Sequence, residues 1–299
     1  MQFAVLGNAG SWYCEDIARA AGQRGHTCER LDFQRIAAAA GPAESVLISA
    51  SEESETATTR LEEFDAVIVR TMPPGSLEQV VFRMNVLARL ESRGKLVVNS
   101  PRSIECAVDK YLTTARLVEH NLPVPPTAVC QDSESALQQF EQLGGDVVVK
   151  PIFGAEGRGI CRVSDPDLAF RTFRTLERIG AVLYLQKFVR HPGYDIRILV
   201  LDGQIVGAMK RFGDDDFRTN VARSARTEIH SPTDSERHFA LTAASAVGAR
   251  FAGIDLLYDE TDHCHVLEVN AVPGWRAFAR TTRIDVADRF IAALEITID

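Results

Sequence analysis

The first hundred residues alternate short apolar runs with stretches of helical length, and this alternation limits the possible folds more than any other feature. Phe3–Leu6 is an apolar strand; Gly7-Asn8-Ala9-Gly10 turns into a helix over Ser11–Gln23, closed by Gly25. Asp65–Arg70 reads as a second buried strand, Glu78–Ser92 as a helix ending at Gly94, and Lys95–Val98 as a third strand. Strands separated by helices pair in parallel, because each crossover returns the chain to the same end of the sheet. The glycine-bearing turn lacks the Gly-x-Gly-x-x-Gly spacing and reads as a tight strand-to-helix connection rather than a dinucleotide site. Gly41–Thr59, rich in Ser, Glu, Ala and Thr, is expected to be a mobile surface excursion.

Beyond Asn99 the pattern changes. Ser100 caps a helix with Pro101 at its first position, and Asp109 caps a second over Lys110–His120, stopped by Asn121 and the prolines after it. A helix over residues 134–143 follows, then short strands with tight turns, interrupted by a helix over Pro166–Ile179. Val182–Val189 is a strand. Asp195–Leu201 and Gln204–Lys210 form a hairpin about Asp202-Gly203, a pair of residues that tolerates positive φ. Ser235–Ala249 is a helix, Gly253–Tyr258 and Cys264–Val269 a second hairpin, and Ile284–Leu294 a terminal helix. The fold class is α/β followed by α+β: an N-terminal parallel domain over 1–99, a central segment over 100–185 and a C-terminal segment over 186–299.

Three stretches carry chemistry. Glu268 and Asn270, two apart on one strand, point to one face and offer oxygen ligands of the kind Mg²⁺ prefers; Asp255, on the preceding strand, adds a third. Lys150 ends the all-valine strand Val147-Val148-Val149 and precedes a loop with Gly154, Gly157 and Gly159, whose backbone can turn its N–H groups toward an anion. Asp195 and Arg197 share a strand face and could pair with each other; Arg211 follows as a cation for developing phosphate charge. Lysine, glycine loop and carboxylates together describe a site for ATP. Gln186, in the middle of an otherwise apolar strand, is suited to read an adenine edge. Trp275, ending Val272-Pro273-Gly274-Trp275, is either a packing residue or an aromatic stacking platform.

Composition narrows the partners. With 33 basic and 41 acidic residues the net charge is −8, which argues against a nucleic-acid partner, since such binding draws on a basic surface. No apolar run approaches the ~20 residues that cross a bilayer, so no membrane partner is expected. The six cysteines show no Cys-x-x-Cys spacing and the N-terminus lacks a signal-peptide pattern, which together point to a cytoplasmic location. A homo-oligomer is left open.

In their order and spacing these pieces resemble the ATP-grasp superfamily, and within it the RimK-like α-L-glutamate ligases. The likeness covers roughly residues 99–290 and rests on Asp109-Lys110, Val148-Val149-Lys150-Pro151 with its glycine loop, Asp195-Ile196-Arg197, the Arg211–Asn220 segment and Glu268-Val269-Asn270. The resemblance implies an ATP-dependent carboxylate–amine ligase that forms an acylphosphate, the glycine loop closing over it as a lid. By it Lys110 and Lys150 hold the nucleotide from two sides, and Gln186, Lys187 and Val189 bind adenine. Asp195 lies toward the ribose, and Arg211 contacts phosphate and the reacting carboxylate. Asp255, Glu268 and Asn270 bind two Mg²⁺ ions, for which Mn²⁺ can stand in. Arg197, Asn220, Arg223 and Trp275 fall to the substrates, an amino acid and a carboxylate acceptor. The Arg-Gly-Gly that many relatives place after the asparagine is absent from Asn220-Val221-Ala222-Arg223. The stretch ending in Trp275 is similar to the relatives that add glutamate to tetrahydromethanopterin. A small-molecule kinase, or a ligase of another amino acid onto a protein, are the alternatives.

Overall fold

The computed structural model describes residues 1–41, 46–49, 58–154, 159–213 and 226–298. In chain order the first part runs β1 (Gln2–Leu6), α1 (Trp12–Gln23), β2 (Thr27–Leu31), β3 (Ile36–Ala38), β4 (Val46–Ser49), β5 (Thr58–Arg60), β6 (Ala66–Val69), α2 (Leu77–Ser92) and β7 (Leu96–Val98). The sheet β2-β1-β6-β7 is parallel throughout. Its strands are apolar on both faces because both are covered: Phe3 and Val5 join one core, Ala4 and Leu6 the other. The expected excursion at Gly41–Thr59 instead contributes β4 and β5, which pair with β3 into a small antiparallel sheet. Val46-Leu47-Ile48 carries strand preference that the surrounding polar composition hides; residues 42–45 and 50–57 lie outside the described residues.

Next come α3 (Pro101–Val108), α4 (Lys110–Glu119), β8 (Thr127–Cys130), α5 (Ser133–Gln142), β9 (Val147–Lys150), β10 (Cys161–Val163), α6 (Pro166–Arg178) and β11 (Leu183–Lys187). Both expected caps form: Ser100 accepts from the Ser103 N–H and Asp109 from the Leu112 N–H. The sheet β10-β9-β11-β8 is antiparallel in the pairings that join it. Val147, Val149, Leu183 and Leu185 pack on α5 and α6 through Phe140 and Phe173, which leaves Val148, Lys150, Tyr184 and Gln186 on the other face. The expected division at 185/186 cuts through β11, whose strand partners all belong to this sheet.

The last part is β12 (Tyr194–Leu201), β13 (Gln204–Phe212), β14 (Thr227–His230), α7 (Asp234–Val247), β15 (Phe251–Tyr258), β16 (Cys264–Asn270), α8 (Arg276–Thr282) and α9 (Val286–Ile298). Its sheet order is β14-β13-β12-β15-β16, antiparallel at each pairing. The turn at Asp202-Gly203 has positive φ at both residues, 46° and 70°, as a two-residue hairpin with right-handed twist requires. Ile196, Ile198, Ile254 and Leu256 pack against α7 on one face. On the other, Leu199, Met209 and Phe251 pack with Phe278, Phe290 and the first sheet's Phe3 and Ile68.

Asn99 joins the first and last sheets. Its side chain is 2% exposed. It donates to the Phe251 carbonyl at 2.6 Å and to that of Ala271, and accepts from the Arg250 and Phe251 N–H groups at 2.8 and 3.0 Å. All the hydrogen-bonding capacity of its amide is engaged, which fixes the end of β7 against the ends of β15 and β16. No described helix is long and apolar enough to cross a membrane.

Candidate functional site

Two β-bulges set the charges of the site. In the β12–β13 hairpin Leu201 opposes Gln204 and Val200 opposes Ile205; a straight ladder would then place Asp195 against Lys210. An irregularity at Leu199/Val200 advances β13 by one residue, so Leu199 faces Gly207 and Asp195 faces Arg211. In the β15–β16 hairpin Leu256 faces Val266, and the bulge at Leu267 brings Glu268 opposite Asp255. Each insertion reverses the in–out alternation beyond it and bends the strand, a device common beside functional sites. Between them they line Asp195, Arg197, Arg211, Asp255, Glu268 and Asn270 along one face.

Asp195 and Arg197 do not pair with each other; both pair across strands. Arg211 grips Asp195 through Nε and Nη2 at 2.7 and 2.6 Å, and Arg197 grips Asp255 at the same two distances. Arg211 Nη2 also reaches Asp255 at 3.0 Å. Burial opposes the charged form of Asp255, but Arg197 and Arg211 hold its carboxyl below the ordinary range. Burial likewise opposes the Arg211 charge, which Asp255 and Asp195 more than restore. Among the described residues Arg211 Nη1 makes no hydrogen bond. Asp195, 2% exposed, is held by the arginine.

On the central sheet stands Lys150, registered with Tyr184 on β11. Its Nζ donates to Gln186 Oε1 at 2.6 Å, and Gln186 Nε2 donates to Thr127 Oγ1 and Tyr184 Oη at 3.1 and 3.3 Å. Tyr184 in turn meets Thr114 Oγ1 at 2.9 Å. Gln186 is buried and holds Lys150, and its amide nitrogen is engaged by Thr127 and Tyr184. Tyr184 and Thr114 complete this network; sequence reasoning passed over them because neither stands out without the strand register. Lys187 is exposed and Val189 half-buried where β11 ends.

Lys110, the first residue of α4, donates to the Gly154 carbonyl at 2.9 Å, tying the helix to the glycine loop. Gly154 and Gly159 flank the loop; Gly157 lies outside the described residues, as do Asn220 and Arg223. Burial lowers the pKa of both lysines, and the Glu268 charge acts against that lowering in each. The two lysines and Glu268 thus share one electrostatic neighbourhood, which gathers a glutamate of the last sheet, a lysine of the central sheet and a lysine at the start of α4.

Burial takes Lys150 down to about 8. Below that pH the ammonium is charged and available to a phosphate; above it the amine is neutral. Affinity for ADP should therefore weaken as pH rises through 8 to 9, where ADP itself no longer titrates. A Lys150→Arg variant, whose side chain stays protonated there, should show a flat profile. Calorimetric titration across that range checks this, and an equally flat wild-type profile would contradict it.

The donors fit a divalent metal. Glu268 and Asp255 supply carboxylates at opposed positions, and Asn270 adds an amide whose Nδ2 is buried without a partner. Amide N and O are interchangeable by a flip, so that orphaned end can equally present oxygen. Asp255 keeps acceptor capacity beyond its arginines, a carboxylate having about four lone-pair sites. Among the described residues no group of three or more His, Cys, Asp or Glu gathers; here the set is two carboxylates and an amide.

Trp275 is not a platform for an acceptor. It is 0% exposed. Its Nε1 donates to Asp16 at 2.8 Å, and its ring is covered by Tyr13, Phe251 and the Arg70 guanidinium. The apolar bulk of the ring favoured the interior, and α1 provided an acceptor for its N–H.

Comparison with known proteins agrees with this geometry. The RimK-like ATP-grasp domain profile matches residues 107–294, and the RimK pre-ATP-grasp domain profile matches residues 1–104. The tetrahydromethanopterin:alpha-L-glutamate ligase of Methanosarcina acetivorans is 36% identical over 209 residues, 66% of this chain; the match spans 64% of that enzyme's length. The ribosomal protein bS6--L-glutamate ligase of Escherichia fergusonii is 30% identical over 99% of this chain and 96% of its own. The ATP-grasp ligase PsnB, solved with a minimal precursor, superposes with a TM-score of 0.75 over 99% of both chains at 23% identity, a likeness of fold.

Proposed function

The chain belongs to the RimK-like ATP-grasp family of ATP-dependent carboxylate–amine ligases, and on that premise we propose that it joins the amine of L-glutamate to a carboxylate acceptor through an acylphosphate. The observation that carries this reading is that Lys150 and Lys110 both stand in the field of Glu268, which is paired in register with Asp255 on the neighbouring strand. The lysines would meet the phosphates as point charges. A divalent metal held by Glu268, Asp255 and Asn270 would neutralise phosphate charge. Arg211, its fork fixed by Asp195 and Asp255, would direct Nη1 at the transferring phosphoryl group.

In the first step the acceptor carboxylate oxygen bonds to the γ-phosphorus and the bond to the ADP oxygen breaks. The glutamate amine then attacks the acyl carbon; the tetrahedral adduct expels phosphate, and the amine's proton leaves to solvent. Positioning and charge neutralisation account for most of the first step. The sheets hold the charges in place before substrates arrive.

Likeness to the Methanosarcina enzyme supports a pterin acceptor, whereas the burial of Trp275 removes the separate argument from a stacking platform. The reading is tested by ADP release across amino acids with a panel of glutamyl-ended acceptors, a pterin and peptides among them. ADP and phosphate should appear only with glutamate and an acceptor together, and hydroxylamine should trap the acylphosphate. A stable phosphoester instead would identify a kinase; release with a different amino acid would retain the family and correct the substrate.

A further inference from the structure

In the first sheet the order β2-β1-β6-β7 reverses direction of growth at the β1/β6 boundary, and all strands run parallel. The crevice beyond the carboxyl ends of such a strand pair is where open α/β sheets receive ligands. Arg70 follows β6 there directly, and the exposed turn Asn8-Ala9-Gly10 follows β1.

Among the described residues Arg70 is a cation without an anion. Its guanidinium lies 5.1 Å from the Tyr13 ring centroid and 4.4 Å from that of Trp275. Nη2 donates to the Pro273 carbonyl at 2.8 Å, while Nε is buried with no partner among the described residues. Among the described residues no carboxylate pairs with it, and burial pushes its pKa down to about 10. Arg197 and Arg211 make the contrast: each meets a carboxylate with Nε and Nη2 together, whereas on Arg70 that edge meets only a neutral carbonyl, and only at Nη2. An unpaired buried charge costs several kcal/mol, and a cation–π contact returns only about 0.5–2 kcal/mol. A hollow of about 10 Å³ lies beside Arg70. One water there would satisfy Nε but leave the charge uncompensated. The side chain retains partial exposure, which gives a ligand a way in.

The position is close to the chemistry. Pro273 follows Asn270 by three residues. A Cβ on Gly253 would come within 3.0 Å of Pro273 and 3.7 Å of Arg197 Nε. Arg70 therefore stands one residue layer from the Arg197–Asp255 pair.

We propose that Arg70, set at the switch point of the first sheet and packed against the rings of Tyr13 and Trp275, binds a spectator carboxylate of a substrate: one that is neither phosphorylated nor joined. This deepens the ligase reading and rests on it for the identity of the ligand. The carboxylate belongs either to the incoming amino acid or to the glutamyl end of the acceptor.

The test titrates L-glutamate, N-acetyl-L-glutamate and glutarate into the full chain with Mg²⁺ and a non-hydrolysable ATP analogue, for wild type, Arg70→Met and Arg70→Lys. The expected result is a loss of roughly tenfold or more in carboxylate affinity for Arg70→Met, with the analogue bound as in wild type. Arg70→Met should melt no lower than wild type, since it removes an uncompensated buried charge. Arg70→Lys, with charge but no fork, should fall between, and serves alone if Arg70→Met fails to fold. Loss confined to L-glutamate assigns the subsite to the amino acid; loss shared with N-acetyl-L-glutamate assigns it to the acceptor end. Equal affinities in wild type and variants, or no carboxylate binding to wild type, would overturn the proposal. Binding of glutarate but not glutamate would instead sink the glutamate reading and leave the subsite standing.

Discussion

Replacing Arg211 with alanine should lower both stability and turnover, and the two losses should be separable. Arg211 is 8% exposed and Asp195 2%. Removing one member of a buried bidentate pair typically costs about 3–5 kcal/mol, because the other charge stays behind. The same substitution withdraws the cation nearest the proposed phosphoryl transfer, a change that commonly lowers kcat by about 10²–10³. Asp195→Ala together with Arg211→Ala should recover part of the stability, since the buried carboxylate that Arg211 grips leaves with it, and none of the turnover. Nucleotide affinity should hold within a few fold, as the lysines and the metal donors are untouched. Melting temperature, ADP affinity and turnover for the single and double variants form the test. Full turnover in Arg211→Ala would remove the residue from the chemistry.

Glu268→Gln should be nearly as damaging, by another route. The change keeps the shape and removes the charge opposite Asp255. Apparent Mg²⁺ affinity should fall by about tenfold or more and turnover by about 10² or more, since hard cations depend on anionic oxygen donors. A second readout follows from electrostatics. Glu268 is the charge that most opposes the lowering of Lys150 and Lys110. In the variant the pH at which nucleotide affinity declines should move below that of wild type. An unchanged Mg²⁺ requirement with an unchanged pH profile would place Glu268 outside the site.

Much of this was legible in the residues, and what was not has a physical reason. The helix starts at Pro101 and Lys110 were readable because Ser100 and Asp109 bond within their own first turns. The Asp202-Gly203 hairpin was readable because its φ angles exclude most residues. Which arginine meets which aspartate was not. Simple counting pairs Asp195 with Lys210, and only the bulge substitutes Arg211. Likewise Leu267, not Glu268, stands opposite Asp255 in a regular ladder. Bulges change register by one residue and leave no firm mark in composition. The strands β8 and β14 and helix α8 were missed as short elements whose order comes from tertiary pairing. Trp275 looked exposed because its partners, Tyr13 and Asp16, lie more than 250 residues earlier.

On the ligase reading a metal–nucleotide complex would sit between the strand ending in Lys150 and the strand bearing Glu268 and Asn270. Anomalous diffraction from crystals grown with Mn²⁺ and ADP tests it most directly. A peak is expected about 2.0–2.3 Å from oxygens of Glu268 and Asp255 or Asn270, with Lys150 Nζ in hydrogen-bond reach of a phosphate. A metal peak and nucleotide density elsewhere, with these side chains turned from any common ligand, would contradict it.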